Sequence, residues 1–305
     1  MRIARTSARV VVPATSANLG PGFDALGMAL GLHDAVRMEA IAGGTEVTVH
    51  GEGAGKVPTG EDHLVVRALR LGLDHAGAPQ TGVRMHCTNR IPHGRGLGSS
   101  AAAVVAGLLL ARGLLADPEA LDDQAVLDLA TEMEGHPDNA APAITGGVTV
   151  SWTTNGSART AVLDVPDDGT IDPVVLSPGT ELSTARARSL LPETVPHADA
   201  AFTAGRAALL IHALTKDPSL LMEATEERLH QAQRAPGMPE SVDLVRVLRQ
   251  EGYPATISGA GPTVLVMAGA DGRLGGLVRR VVADPGAWRS ARVGLDRRGA
   301  HLTQA

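Results

Sequence analysis

The chain is short of aromatic side chains, of cysteine, of positive charge and of long apolar runs, and each shortage removes a class of function. Among 305 residues the aromatics are Phe23, Trp152, Phe202, Tyr253 and Trp288, too few for the stacking platforms that hold single-stranded nucleic acid. Lysine and arginine number 27 against 33 acidic residues, a formal net charge of −6, so there is no basic footprint for DNA or RNA. A single cysteine, Cys87, excludes an internal disulfide framework and fits a reducing compartment. It lies in the alternating run Val83, Arg84, Met85, His86, Cys87, which reads as a half-buried strand rather than a nucleophile's setting. No stretch reaches about 18 uninterrupted apolar residues, so no membrane span is expected. The arginines near the start are not followed by an apolar signal core. What remains is a globular protein expected in the cytoplasm, long enough for one large domain or two smaller ones.

Glycine, in contrast, is concentrated where it matters. The run Gly94-Arg95-Gly96-Leu97-Gly98-Ser99-Ser100-Ala101 sets three glycines and two serines against an apolar segment, 101–115. Glycines let a backbone turn sharply and approach a ligand. A helix starting directly after them offers free N–H groups and the positive end of its dipole, a ready anion site. Two common phosphate motifs do not fit. A P-loop needs a lysine after its last glycine, where Ser99 stands. A dinucleotide fingerprint needs two residues between its second and third glycines, and only Leu97 separates Gly96 from Gly98. The H-R-D and D-F-G signatures of protein kinases are missing too. On its own the run is equally readable as a turn before a buried helix.

Strands are expected at 9–12, 36–40, 46–50, 83–91 and 147–153, and helices at 62–75, 101–115 and 123–134. A polar stretch with Gly156, Pro166 and Gly169 marks a boundary, giving domains 1–160 and 161–305. The second half reads as a strand at 173–176, helices at 199–214, 218–231 and 239–251, and a strand–turn–strand unit over 255–258 and 263–268. Strands and helices mix without regular βαβ alternation, so the class is α+β.

Two further small-residue segments alter the reading of the first. Pro13-Ala14-Thr15-Ser16-Ala17-Asn18-Leu19-Gly20-Pro21-Gly22-Phe23-Asp24 reads as a stiff polar loop after the first strand. Ser258-Gly259-Ala260-Gly261-Pro262-Thr263 reads as a turn between two strands. With Pro92 through Ala101 between them, the chain resembles the small-molecule kinases grouped with galactokinase, homoserine kinase, mevalonate kinase and phosphomevalonate kinase, the GHMP kinases. Their three motifs, P-A-x-x-x-N-L-G, P-x-x-x-G-L-G-S-S-A and S-G-x-G-P-T, occur here in order across nearly the whole chain. Within that family the homoserine kinases are most similar. Their H-x-D-N-x-A-P is matched from His136 to Pro142, and their S-T-x-x-A-R-x-x-L-P from Ser183 to Pro192. A run ending in a substrate arginine is matched from Arg228 to Arg234, with Gln233 where a tyrosine is usual.

The resemblance implies a two-domain α+β fold, an N-terminal half like domain 2 of ribosomal protein S5 and a ferredoxin-like C-terminal half. It implies Mg²⁺ and ATP, with the γ-phosphoryl group passing to the hydroxyl of L-homoserine, a step toward threonine; a mevalonate-type acceptor or a non-catalytic binding protein are the alternatives. The triphosphate would lie over Pro92, Gly94, Arg95, Gly96, Leu97, Gly98, Ser99 and Ser100, with Gly259 and Gly261 nearby. His63 is either a nucleotide contact or a surface histidine at a helix start. Mg²⁺ would be held by Ser100 and Glu132. At about 100° per residue Glu132 falls at one edge of its helix's buried stripe and Glu134 at the other. Asp24 would take the acceptor's ammonium, and Arg188 and Arg234 its carboxylate, since a guanidinium can grip a carboxylate with two bonds. Asn18 and His136 would hydrogen-bond near its hydroxyl. Asp138 is either a general base or a bystander, because a loose transition state keeps the attacking hydroxyl's proton until late. A homodimer completes these expectations, with no nucleic-acid or membrane partner.

Overall fold

The computed structural model describes residues 2–304. In chain order the elements are β1 (Ser7–Asn18), β2 (Gly22–Ile41), β3 (Thr45–Gly51), α1 (Leu64–His75), β4 (Gly82–Asn89), α2 (Ser99–Leu114), α3 (Asp123–Glu134), α4 (Ala140–Thr145), β5 (Val148–Thr154) and β6 (Ser157–Leu163). Then come β7 (Val174–Ser177), α5 (Thr184–Ser189), α6 (His197–Thr215), α7 (Leu221–Ala224), α8 (Gln231–Arg234), α9 (Pro239–Gln250), β8 (Ala255–Ile257), β9 (Val264–Val266), α10 (Leu274–Val281), β10 (Arg289–Arg292) and β11 (His301–Thr303).

Two sheets organise these elements. The first runs β11-β1-β2-β4-β3, and the start of β2 also pairs with β5, which carries β6 at its edge. Only β3 and β4 are parallel in it. The second sheet runs β10-β7-β9-β8, all antiparallel. Helix α2 is apolar on every side, from Ala101 and Ala102 to Leu114, which is the pattern of a helix buried all round. It packs against α1 and β1 in the larger core. Gly107 lets α1 come close, since a Cβ there would overlap the Val65 carbonyl. A second core lies between the smaller sheet and α9 and α10, around Leu244, Leu248, Ile257, Val264 and Leu277.

Three expectations need correction. The segment from Pro13 to Asn18 is not a loop but the second half of β1, paired with β2. Every side chain from Val12 to Asn18 is buried, so the strand is covered on both faces and lacks the alternation that identifies a half-exposed one. The expected helix over 218–231 breaks after Ala224 and restarts at Gln231. There the Glu227 carboxylate accepts from the Leu229, His230 and Gln231 amides and starts a new turn instead of continuing the old one. Finally, the two-domain division is not a single cut. The sheets part between Leu163 and Val174, but β11 returns to pair with β1, Arg9 facing Thr303.

Candidate active site

The three glycine-bearing segments, remote in sequence, meet at one point. Thr15 N donates to the Leu97 carbonyl at 3.1 Å, Gly259 N to the Ala17 carbonyl at 3.1 Å and Thr263 N to the Arg95 carbonyl at 3.3 Å. Ser258 Oγ donates to the Gly96 carbonyl at 2.6 Å and meets Ser16 Oγ at 2.9 Å. Gly94, Gly96 and Gly98 have φ of +63°, +73° and +66°, the left-handed region that suits glycine. Space is as restrictive as angle. A Cβ on Gly96 would overlap the Ser258 carbonyl, and one on Gly98 would overlap Thr15 Oγ1. Gly98 then caps α2 with no side chain, leaving the first-turn N–H groups open to an anion.

Beside this loop lies a cavity of about 360 Å³. Ser99, Ser100, Glu134, His136 and Asp138 line one part of it and Asn18, Asp24, Arg188 and Arg234 another. A neighbouring cavity of about 250 Å³ shares Ser99 and Ser100 but is walled largely by Val36, Val65, Ala102, Ala103 and Ala106. His63 faces this second cavity. It is 5% exposed, so it is not a surface histidine, and its Nδ1 has no protein partner among the described residues. Burial pushes its pKa down and keeps the ring neutral. Asp34 lines the same cavity; burial raises its carboxyl, though it accepts from the Arg90 and Ile91 amides.

The carboxylate beside Ser100 is not the expected one. Glu132 lies exposed on the outer side of α3, whereas Glu134 Oε1 accepts from Ser100 Oγ at 2.6 Å. Glu134 ends α3, and Gly135, at φ +85°, turns the chain into the His136–Asn139 segment. Position in the last turn, not position on the apolar stripe, aims the side chain at the loop. Burial pushes the Glu134 carboxyl up, Ser100 lowers it and nearby Asp138 raises it. The negative end of a helix dipole also disfavours a carboxylate. A cation would offset the burial, the Asp138 charge and the dipole. Among the described residues no group of three or more His, Cys, Asp or Glu could hold a metal. A carboxylate, a hydroxyl and substrate phosphates are nevertheless the donor set that Mg²⁺ takes, and Glu134 and Ser100 fit it.

The remaining candidates sort by what they touch. His136 Nδ1 meets Asp138 Oδ1 at 2.5 Å, and this bond raises the histidine's pKa. Asp138 is 1% exposed. Asp24 and Arg188 form a two-bonded ion pair at 2.8 and 3.1 Å, which raises the arginine's pKa. Asn18 and Asp24 both have left-handed backbones, at φ +68° and +54°. The Asn18 side chain fixes that turn, accepting from Asp24 N and donating to the Gly259 carbonyl. Arg234 is 2% exposed; among the described residues it hydrogen-bonds only to the Gly259 carbonyl and His230 Nδ1, and its Nε has no hydrogen-bond partner. Burial, then Arg188, pushes its pKa down.

Several loop residues do not meet the nucleotide expectation. The Arg95 guanidinium turns away to the Pro178 and Gly179 carbonyls at 2.9 and 3.0 Å. Leu97 is buried in the larger core and lends the site only its carbonyl. Pro92 and Gly261 line neither cavity; a Cβ on Gly261 would overlap Met238 Sδ. Residues that sequence reasoning passed over, besides Glu134, are Met133 and Thr184, both lining the first cavity.

The family description "GHMP kinases N terminal domain" matches residues 63–147, and "GHMP kinases C terminal" matches residues 207–283. The chain is 54% identical over 294 residues to a homoserine kinase of Streptomyces coelicolor, covering 96% of this chain and 93% of that one. It is 52% identical over 295 residues to a homoserine kinase of Streptomyces avermitilis, covering 96% and 95%. The crystal structure of homoserine kinase from Cytophaga hutchinsonii superposes with a TM-score of 0.85 at 25% identity, covering 98% of each chain. Likeness that runs from end to end, in sequence and in fold, makes the assignment: the chain belongs to the homoserine kinases of the GHMP kinase family.

Proposed function

We propose that the protein transfers the γ-phosphoryl group of ATP to the hydroxyl of L-homoserine, with Mg²⁺, giving O-phospho-L-homoserine and ADP. The observation that carries the acceptor is Arg234, a buried guanidinium with no ion-paired carboxylate among the described residues, opening on the cavity that also holds the glycine loop. Burying an unpaired charge is costly, and an incoming carboxylate offsets that cost. The α2 N-terminus and the amides of Gly96, Gly98 and Ser99 suit the phosphates. The apolar second cavity, with His63 at its wall, suits the adenine.

Glu134 and Ser100 are the residues that would hold the cation. When bound, Mg²⁺ supplies charge neutralisation to the transferring phosphate. At the other end of the cavity Asp24 and Arg188 neutralise each other. A zwitterion brings both charges, so its ammonium takes Asp24 while its carboxylate takes Arg188 and Arg234. His136, held by Asp138 on one nitrogen, keeps Nε2 free for the acceptor near its hydroxyl. As the hydroxyl oxygen bonds to the γ-phosphorus, the bond to the ADP oxygen breaks and the hydroxyl proton leaves late, to an oxygen of the transferred phosphate and on to solvent. Asp138 is occupied by His136 and buried, which favours transfer without a general base.

An ADP-release assay with homoserine, mevalonate and galactose tests this reading. Turnover with homoserine alone is expected; turnover of mevalonate but not homoserine would overturn it. A homodimer in the cytoplasm belongs to the same reading. In its favour, Val162 is 54% exposed on the edge strand β6, and the one cysteine is free. A monomer mass by light scattering would remove the dimer.

A further inference from the structure

His230 belongs to none of the family motifs' reacting groups, yet it is completely buried between the two parts of the acceptor site. Its Nε2 lies 2.8 Å from the Gly20 carbonyl. A carbonyl can only accept, so Nε2 carries the proton and Nδ1 presents a lone pair. That lone pair faces Arg234 Nη1 at 3.4 Å. Burial lowers the histidine's pKa, which keeps this neutral form. The ring stacks on Phe23 with centroids 5.0 Å apart, and Phe23 in turn lies under the guanidinium groups of Arg234 and Arg188 at 5.4 and 5.8 Å.

The backbone around the ring is fixed from both directions. Glu227 accepts from the His230 amide at 2.8 Å. The facing turn carries Leu19 at φ +49°, Gly20 at +89° and Asp24 at +54°. Non-glycine residues in that region are strained and persist only where surroundings hold them. A Cβ on Gly20 would meet the Thr225 carbonyl at 2.5 Å, so the turn is wedged against the segment that leads to His230.

We propose that His230 is a positioning residue of the acceptor site, one ring setting the aim of Arg234 and of the Asp24-bearing turn relative to each other. The inference rests on Arg234 and Asp24 as the acceptor's partners. A shift of about 1 Å in such a constellation can cost about 100-fold. His230→Leu removes both ring bonds; His230→Gln keeps a donor within reach of the Gly20 carbonyl.

Steady-state kinetics on the full-length enzyme, with homoserine and ATP each varied, is the test. His230→Leu is expected to raise the homoserine KM at least about tenfold, with kcat within about threefold and the ATP KM within about twofold. His230→Gln, which keeps a donor for the Gly20 carbonyl but not the ring acceptor facing Arg234, is expected to recover only part of that loss, its homoserine KM staying at least about threefold above the parent's. Unchanged homoserine KM, or equal rises for both substrates, would overturn the proposal. Should the leucine variant not fold, the glutamine variant decides: a selective rise of at least about threefold supports the role, and no selective rise overturns it. Arg234→Gln, measured alongside, separates the two levels. If it leaves the homoserine KM unmoved, the acceptor reading itself fails. If it raises that KM while the His230 variants do not, only the positioning role fails.

Discussion

Glu134 carries the sharpest claim at the scale of single residues, because sequence favoured its neighbour. Replacing Glu134 by Gln is expected to lower kcat by about 100-fold or more, the scale of losing a charge-stabilising group in phosphoryl transfer. The variant should melt no lower than the parent, since it removes a carboxylate whose charge burial disfavours. Glu132→Gln, on the exposed side of α3, should match the parent in both respects. Kinetics across a Mg²⁺ titration, with thermal melts, checks all of these. His136 gives a second prediction. Its pKa is raised above 6.5 chiefly by Asp138. The stability contributed by the pair is therefore full below about pH 6.5 and is lost as pH rises through the raised folded value. An NMR titration should find the imidazole above its ordinary value, and Asp138→Asn should bring it down. Legibility at this scale was uneven for a physical reason. Asp24, His136 and Arg188 sit in dense motifs, whereas helical periodicity places Glu132 and Glu134 at opposite edges of one stripe and cannot say which edge meets another element.

At the scale of elements, the glycine loop is constrained twice, by backbone angle and by neighbours. Gly98→Ala must adopt φ +66° and also displace Thr15 Oγ1. Gly156 shares a positive φ, +78°, but has open space around it. Gly156→Ala should therefore cost about 1–2 kcal/mol of backbone strain, and Gly98→Ala more, with a lower melting temperature and a raised ATP KM. In the double variant Gly98→Ala, Thr15→Ala, part of the excess should be recovered, since the Thr15 Oγ1 overlap is gone while Asn139 Oδ1 and the Cβ of residue 15 still lie 3.0 and 3.2 Å from the new methyl. Equal destabilisation of Gly98→Ala and Gly156→Ala in denaturant melts would contradict this account. Helices α1 and α3 were readable from their apolar spacing and α2 from its unbroken apolar run. The second half of β1 was not, because burial on both faces erases alternation. The break after α7 was not, because the Glu227 carboxylate that begins the next turn acts through three backbone amides, not through an apolar pattern.

At the scale of the whole molecule, the two sheets are joined at the site itself. Arg95 crosses from the glycine loop to the Pro178 and Gly179 carbonyls beside β7. Its guanidinium also lies within 3.8 Å of Glu52 and Glu181. Arg95→Ala should lower stability by about 1–3 kcal/mol, the scale of charge-assisted hydrogen bonds lost from a partly buried setting. Chemical denaturation measures it, and an unchanged midpoint would show the tether to be idle. The return of β11 to β1 makes a parallel case. Ala300 N donates to the Ala143 carbonyl at 2.7 Å, and Val10 faces Leu302 across the strand pair. Removing residues 299–305 should therefore destabilise the larger domain, although these residues are the farthest from it in sequence.

Sequence by itself determined the glycine loop ahead of α2 and the family, because short motifs of glycine, serine and proline encode backbone angles that need no distant information. It also determined the buried character of α2, since a helix apolar on all sides has no other stable place. Tertiary structure alone decided which carboxylate faces Ser100, that the Arg95 guanidinium turns to the Pro178 and Gly179 carbonyls, and that His230 stands between Arg234 and the Gly20 turn. Each of these depends on contacts between segments tens to hundreds of residues apart, and local spacing carries no record of them.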